Sequence, residues 1–300
     1  TSSFRLHPSL FLKMSPQLLA WCTAFSFAIA NVTVRHGMRY STPLTATVVS
    51  LIVHTLVLWT ALLVTHGIPS VKLIAFAAIV LTGLVQPIMR CCQYKGMEKI
   101  GTSRAVTLRN TYPVLTIFIG ITALGEHLTL LGACGTALVI AGIFMSSWKL
   151  DEQFKDFRWL HAIYPLITST ITAFVHPLRR YALLQSNEPL FFAALVGPVS
   201  LIAFAFFYWS PLNTEKLVWD RRALVPFLCS GLGETLSVLF LLFAYSTGPV
   251  VIVAPISSTV PVWTMLLAAI FQRDLERFTK ASVIGSVLVV IGVVAISLTK

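Results

Sequence analysis

Glu234 is the polar residue of this 300-residue chain whose surroundings make it chemically conspicuous. It falls near the centre of an apolar run spanning residues 222–246, and Ser230, Glu234 and Ser237 recur at i, i+4 and i+7, on one helix face. A carboxylate in such a run suits a substrate ammonium group or a proton-linked step; the plainer reading is a protonated carboxyl hydrogen-bonded between helices. A second stripe, Thr82-Gln86-Arg90-Gln93, lies in the apolar run 73–95, and Pro87 beside Gln86 frees a backbone carbonyl one turn earlier. Arg90 suits a solute carboxylate or Glu234 itself, and its place near the end of the run also suits snorkelling to the interface.

A third polar group is the run Arg109-Asn110-Thr111-Tyr112-Pro113, set inside an apolar segment that Pro113 must weaken where those groups sit. An arginine there is expensive against lipid, so Arg109 is expected to face a cavity. The counterpart run is Ser257-Ser258-Thr259-Val260-Pro261, with Trp263 beyond it. Thr168, Thr172 and His176 recur at i, i+4 and i+8, ahead of Pro177 and the pair Arg179-Arg180. His176 suits a proton relay, a solute contact or an ordinary inter-helix hydrogen bond, and His54 carries a weaker version of the same signal. The candidate solute-binding set is therefore Glu234, Gln86, Arg90, Arg109, Asn110, Tyr112, His176, Ser237, Ser258 and Trp263.

The elements that must position these groups are membrane helices. The chain is 56% hydrophobic and 11% charged with a mean hydropathy of +0.83, against about 25% charged residues in soluble domains. Runs long enough to span hydrocarbon fall near 18–38, 43–65, 73–95, 101–124, 129–147, 159–182, 189–208, 222–246, 249–271 and 279–298. The fold class expected is all-α integral membrane, with about ten transmembrane helices in two groups of five. The longest internal polar stretch, Lys149 to Arg158, divides them. Trp21, Trp59, Trp148, Trp159, Trp209 and Trp219 fall near the ends of runs and read as interfacial anchors.

The two groups repeat one another. A shift of 148 aligns Gly83 with Gly231, Gln86 with Glu234 and Pro113 with Pro261. A shift of 150 aligns Glu126 with Glu276, Thr129 with Thr279, Gly135 with Gly285 and Gly142 with Gly292, and a looser shift of 145 sets Asn31 opposite His176. A unit with an odd number of helices must enter the membrane from the opposite side in its second copy, which predicts an inverted-topology repeat. The predicted organisation is one repeat over 1–148, a connector over 149–158 and a second repeat over 159–300.

Each half also carries Pro, an apolar run, Glu-x-x-Thr and two glycines seven residues apart: Pro113 through Glu126-His127-Leu128-Thr129 to Gly142, and Pro261 through Glu276-Arg277-Phe278-Thr279 to Gly292. In this the chain resembles the EamA-type drug/metabolite transporter superfamily, over essentially its whole length. The second copy departs by carrying Gln272-Arg273-Asp274-Leu275 before its glutamate, where the family usually has a glycine. The resemblance implies that the proline-bearing helices line a central cavity, that both termini are cytoplasmic and that export is the commoner direction. It implies secondary transport of a small polar or amphipathic metabolite such as an amino acid, by alternating access between the repeats. A nucleotide-sugar or sugar-phosphate carrier is the alternative, with Arg90 and Arg109 as phosphate contacts. Lys and Arg are more frequent in the loops after odd-numbered helices, which by the positive-inside rule places the termini outside, so orientation stays open.

Other classes fit poorly. The charge of +11 is spread through short connectors, so nucleic acid is not an expected partner. Five cysteines sit in apolar runs without metal-ligand spacing and read as small core residues, so neither metal nor cofactor is expected. There is no GxSxG, Walker-A or HExxH motif, so an enzyme is not expected. A receptor or scaffold would carry larger extramembrane loops. The basic N-terminus and Ala28-Ile29-Ala30 imitate a signal peptide, yet the apolar run continues to Val34 and recurs in the second half, so it is read as the first membrane helix. The expected setting is multi-pass in an inner or plasma membrane, with lipid and a small solute as partners and a homodimer as a further option.

Overall fold

The computed structural model describes residues 14–65, 67–147, 159–209, 215–271 and 280–298, and among these no strand occurs. In chain order the helices are α1 (Pro16–Gly37), α2 (Pro43–Thr65), α3 (Leu73–Ile100), α4 (Thr102–Arg109), α5 (Pro113–Leu124), α6 (Leu130–Ser147), α7 (Ile163–Gln185), α8 (Pro189–Tyr208), α9 (Arg221–Thr247), α10 (Val250–Ser257), α11 (Val260–Phe271) and α12 (Lys280–Ser297). A 3-10 turn, Trp159–Ala162, leads into α7. Among the described residues six stretches are long and apolar enough to cross a membrane: α1, α2, α3, α8, α9 and Val250–Leu267, which joins α10 to α11. Shorter apolar stretches lie in α6 and α12. The N-terminal residues 1–13, the connector at 149–158 and the departure at Gln272–Glu276 lie outside the described residues.

Helix starts follow local chemistry. Pro16, Pro43, Pro113 and Pro189 each open a helix, where the missing N–H is not needed and φ is preset. Ser15 caps α1 by accepting from the Leu18 N–H at 3.3 Å. Gly125, at φ 67°, ends α5 in the left-handed region and lets the Glu126 N–H reach the Gly120 carbonyl at 3.1 Å.

The sequence predicts one helix over 101–124 and one over 249–271, and the structure breaks both. Pro113 cannot donate to the Arg109 carbonyl and its ring crowds it. The chain tightens instead, so that the Asn110 N–H bonds to Val106 and Thr107 and the Thr111 N–H to Leu108. Pro261 does the same between α10 and α11, where the Thr259 N–H turns back to Ile256 at 3.2 Å. Other prolines sit inside helices without breaking them, and two of these show where the freed carbonyl goes. Pro87 frees the Gly83 carbonyl, which accepts from Ser200 Oγ of α8 at 2.9 Å; Pro177 frees the Ala173 carbonyl, which accepts from Thr116 Oγ1 of α5 at 3.3 Å. A backbone group in hydrocarbon needs such a partner from a neighbouring helix.

The strongest packing joins the two halves, and it comes in mates. α1 lies on α9 as α3 lies on α7; α3 meets α8 as α9 meets α2; α1 meets α11 as α7 meets α5. α2 with α8, and α6 with α12, pair across the halves. Directions follow from close approaches. Gly135, early in α6, faces Gly292, late in α12, while Gly142, late in α6, faces Gly285, early in α12. A Cβ on Gly142 would stand 2.5 Å from the Gly285 carbonyl oxygen, so backbone meets backbone there and the helices run antiparallel. Likewise Gly37, ending α1, meets Phe227 near the start of α9, and Gly96 near the end of α3 meets Pro165 near the start of α7. Large apolar side chains such as Leu56, Leu73, Phe118, Leu130 and Phe206 are exposed around the outside, whereas Asn31, Arg90, Asn110, Arg179 and Glu234 are buried. That arrangement is suited to a lipid solvent.

Candidate solute cavity

The polar stripes converge. A central cavity with about 60 Å³ of water-accessible space is lined by side chains of α1, α3, α7 and α9 and of both helix breaks. Its acid–base groups are Arg90, Arg109, His176, Arg179 and Glu234, and Phe27, Met89, Val238, Leu241 and Val260 supply apolar wall. That space exceeds the roughly 10–15 Å³ a cavity needs to hold a water, so the site can be wet.

Glu234 is 3% exposed and its carboxylate meets two side chains of the other half. The Tyr94 hydroxyl donates to Oε1 at 2.6 Å, and Arg90 Nη1 lies 2.7 Å from Oε2 while also donating to Ser50 Oγ at 2.5 Å. The carboxyl group is thus held between helices rather than left alone in its apolar run. Removing either partner would leave the other charge buried and uncompensated. The pairing also decides Arg90, which is buried at the cavity and does not snorkel.

Gln86, the repeat-mate of Glu234, faces a different partner: its Oε1 accepts from Arg179 Nη2 at 3.3 Å. Gln93, one turn further along the stripe, donates through Nε2 to Asn31 Oδ1 at 2.9 Å. Arg109 closes the first helix break with its guanidinium over the Phe27 ring, 4.4 Å from the centroid, a cation–π contact. Its Nε has no hydrogen-bond partner. Beside it the Asn110 amide donates to the Val106 carbonyl at 2.6 Å and leaves Oδ1 unpartnered.

Tyr112 ties the two breaks together. Its hydroxyl is 3.0 Å from Ser257 Oγ and donates to the Ala254 carbonyl at 3.2 Å, both in α10. Its ring meets that of His176 edge-on, with centroids 4.6 Å apart. His176 Nδ1 is 2.6 Å from the Tyr245 hydroxyl, which is buried in α9. One end of this assembly is fastened by Glu126, whose carboxylate accepts from the N–H groups of Val250 at 2.9 Å and Val251 at 3.0 Å. A carboxylate on the exposed donors at the start of α10 is favourable for the reason that acidic caps are.

Of the ten residues expected at a solute site, eight line this cavity: Glu234, Gln86, Arg90, Arg109, Asn110, Tyr112, His176 and Ser237. Two do not. Ser258 turns its hydroxyl back onto the Pro255 carbonyl at 2.7 Å, because the break rotates it away and presents Ser257 instead. Trp263 packs edge-on against Trp21, 5.5 Å between centroids, and against Phe25, on the outer side of α1. His54 is a buried contact of Nε2 with the Ala193 carbonyl at 3.0 Å, away from the cavity. Cys134 and Cys229 are exposed rather than core residues. Participants that escaped the sequence reading as site residues include Tyr94, Arg179 and Tyr245. The first two had a signal, since Tyr94 lies four residues after Arg90 and Arg179 three after His176, each on its stripe. Tyr245 had none.

Broken membrane helices that face each other across two repeats, with polar groups gathered at the breaks, define a polytopic membrane protein of transporter type. The EamA-like transporter family matches residues 14–148 and again residues 159–298. The chain belongs to that family, within the drug/metabolite transporter superfamily, and is a multi-pass membrane transporter of that type. A solved crystal structure whose description states no function superposes with a TM-score of 0.74 at 15% identity, covering 95% of this chain and 99% of that one. At that identity the likeness shows the fold alone. No match to this sequence is found among curated proteins.

Proposed function

We propose that this chain is a secondary transporter that moves a small polar metabolite through the central cavity by alternating access. Its ten membrane crossings form two five-helix repeats related by a two-fold axis in the membrane plane. One observation carries the reading: both repeats contribute polar side chains to one cavity, at the two points where their helices break. The antiparallel seams α6–α12, α1–α9 and α3–α7 support the in-plane axis, since an axis along the membrane normal would make α6 and α12 parallel. Between solutes, an amino acid and a sugar phosphate or nucleotide sugar share an anionic group, which Arg90, Arg109 and Arg179 are placed to meet. Export across an inner or plasma membrane is the direction and place proposed.

The test is counterflow in vesicles. Purified protein is reconstituted, the vesicles are loaded with amino acids, sugar phosphates or nucleotide sugars in turn, and entry of the labelled counterpart is followed. Saturable counterflow of one class, lost in Tyr112→Ala, is the expected result. Failure of every class to exchange, with folded and inserted protein, removes the transporter reading in favour of a receptor or scaffold.

A further inference from the structure

The three cavity arginines are not equivalent. Arg90 is neutralised by Glu234 at 2.7 Å. Arg109 and Arg179 have no carboxylate within ion-pair distance among the described residues, and both, like Arg90, leave Nε without a hydrogen-bond partner. Arg179 is 4% exposed, its one side-chain partner is a neutral amide, and it stands within electrostatic reach of both other guanidinium groups. Glu234 lies within reach of Arg109 as well, but one carboxylate cannot balance three guanidinium groups. The lining therefore carries a net charge of +2, from three cations and one anion, in a site where an uncompensated charge is strongly unfavourable.

Resting on the transporter reading above, we infer that the cavity takes a solute bearing a dianionic oxyanion of the phosphate-monoester class, held between Arg109 and Arg179. Two guanidinium forks from opposite halves, α4 and α7, present planar donors that match such an oxyanion. The unpartnered nitrogens are the donors it would satisfy. The apolar wall of Phe27, Met89 and Val238 meets the remainder of the solute once the cavity widens. The anion does more than bind: by neutralising two guanidinium groups it lets the halves close on each other, so the empty carrier stays strained and the loaded one moves.

The experiment follows thermal stability of the purified full-length protein with inorganic phosphate and glycerol phosphate, against chloride at equal ionic strength. Phosphate should raise the apparent Tm and chloride should not, because a ligand that binds only the folded state stabilises it. Arg179→Gln should make the unliganded protein more stable while weakening phosphate at least tenfold; an arginine with a merely structural role gives the opposite sign in the first measurement. Gln86→Glu, which hands Arg179 a partner without removing it, should also raise the unliganded Tm and weaken phosphate. The inference is overturned if both variants destabilise the empty protein with phosphate binding unchanged. It is also overturned if phosphate leaves wild type unmoved while a neutral or cationic solute shows saturable counterflow, an outcome that leaves the transporter reading standing. Phosphate binding without counterflow of any solute does the reverse. Repeating the measurement in phosphatidylcholine vesicles with and without phosphatidic acid separates the sources of the anion. Stabilisation by the lipid alone assigns the pair to a headgroup and overturns the solute.

Discussion

Between α6 and α12 the two repeats meet like with like: Gly135 lies on Gly292 and Gly142 on Gly285, and a Cβ added to Gly135, Gly142 or Gly292 would strike the backbone of the facing helix. Between α3 and α9 they meet as opposites, with Glu234 held by Arg90 and Tyr94 while its mate Gln86 takes a hydrogen bond from Arg179. The seam keeps the two-fold relation because close backbone packing has one good solution, and both helices can use it. The cavity gives it up, and on the proposed transport reading the reason is that an asymmetric solute cannot be matched by identical halves. A repeat protein of this kind shows where its scaffold ends by where its symmetry fails.

The largest effect should come from breaking the asymmetric pair. Glu234→Gln leaves Arg90 buried and unpaired, and removal of one partner from such a pair costs about 3–5 kcal/mol. The double variant with Arg90→Gln should recover most of that loss, as read by thermal unfolding of all three proteins. A Glu234→Gln protein as stable as wild type, with an unchanged pH profile of transport, would make the pair incidental to the site.

Next comes the symmetric seam. Gly142→Val must separate α6 from α12, since a Cβ there stands 2.5 Å from the Gly285 carbonyl oxygen. Overpacking of this kind costs about 1–3 kcal/mol, and Gly292→Val on the mated position should cost a similar amount. Unequal costs from the two glycines would show that the seam is less symmetric than its geometry.

Glu126→Ala should cost about 0.5–2 kcal/mol, the range for loss of a helix cap, because it strips the two acceptors from the start of α10. Counterflow should slow with it, since α10 carries Ser257 into the cavity. The smallest effect is on accessibility alone. Arg109→Cys, in a background without the five native cysteines, should react with a water-soluble thiol reagent in at least one trapped conformation. A thiol that never reacts would make Arg109 a buried partner of Phe27 and take it out of the cavity.

Much of this was legible in the residues themselves. Membrane helices follow from composition, because each must satisfy its backbone internally and present apolar side chains to lipid. The repeat followed from glycines and glutamates at fixed spacing, and polar groups that lipid would penalise, such as Gln86, Arg90 and Glu234, pointed to the lining of the central cavity. Pro113 and Pro261 marked where the helices weaken. The partners were not legible. Whether Arg90 snorkels or pairs depends on α9 arriving within 2.7 Å of it, and Ser257 rather than Ser258 faces the cavity because of the rotation at one break.

Sequence by itself determined the solvent this chain folds in, its division into two copies and the place of its polar groups within the apolar runs. These are properties of one helix at a time, set by hydropathy and spacing. Tertiary structure alone decided which charges are spent on one another and which are left over, since a charge balance is a sum over neighbours from different helices. Glu234 is neutralised and Arg109 and Arg179 are not, and only the packing of α3, α4, α7 and α9 around one cavity makes that difference.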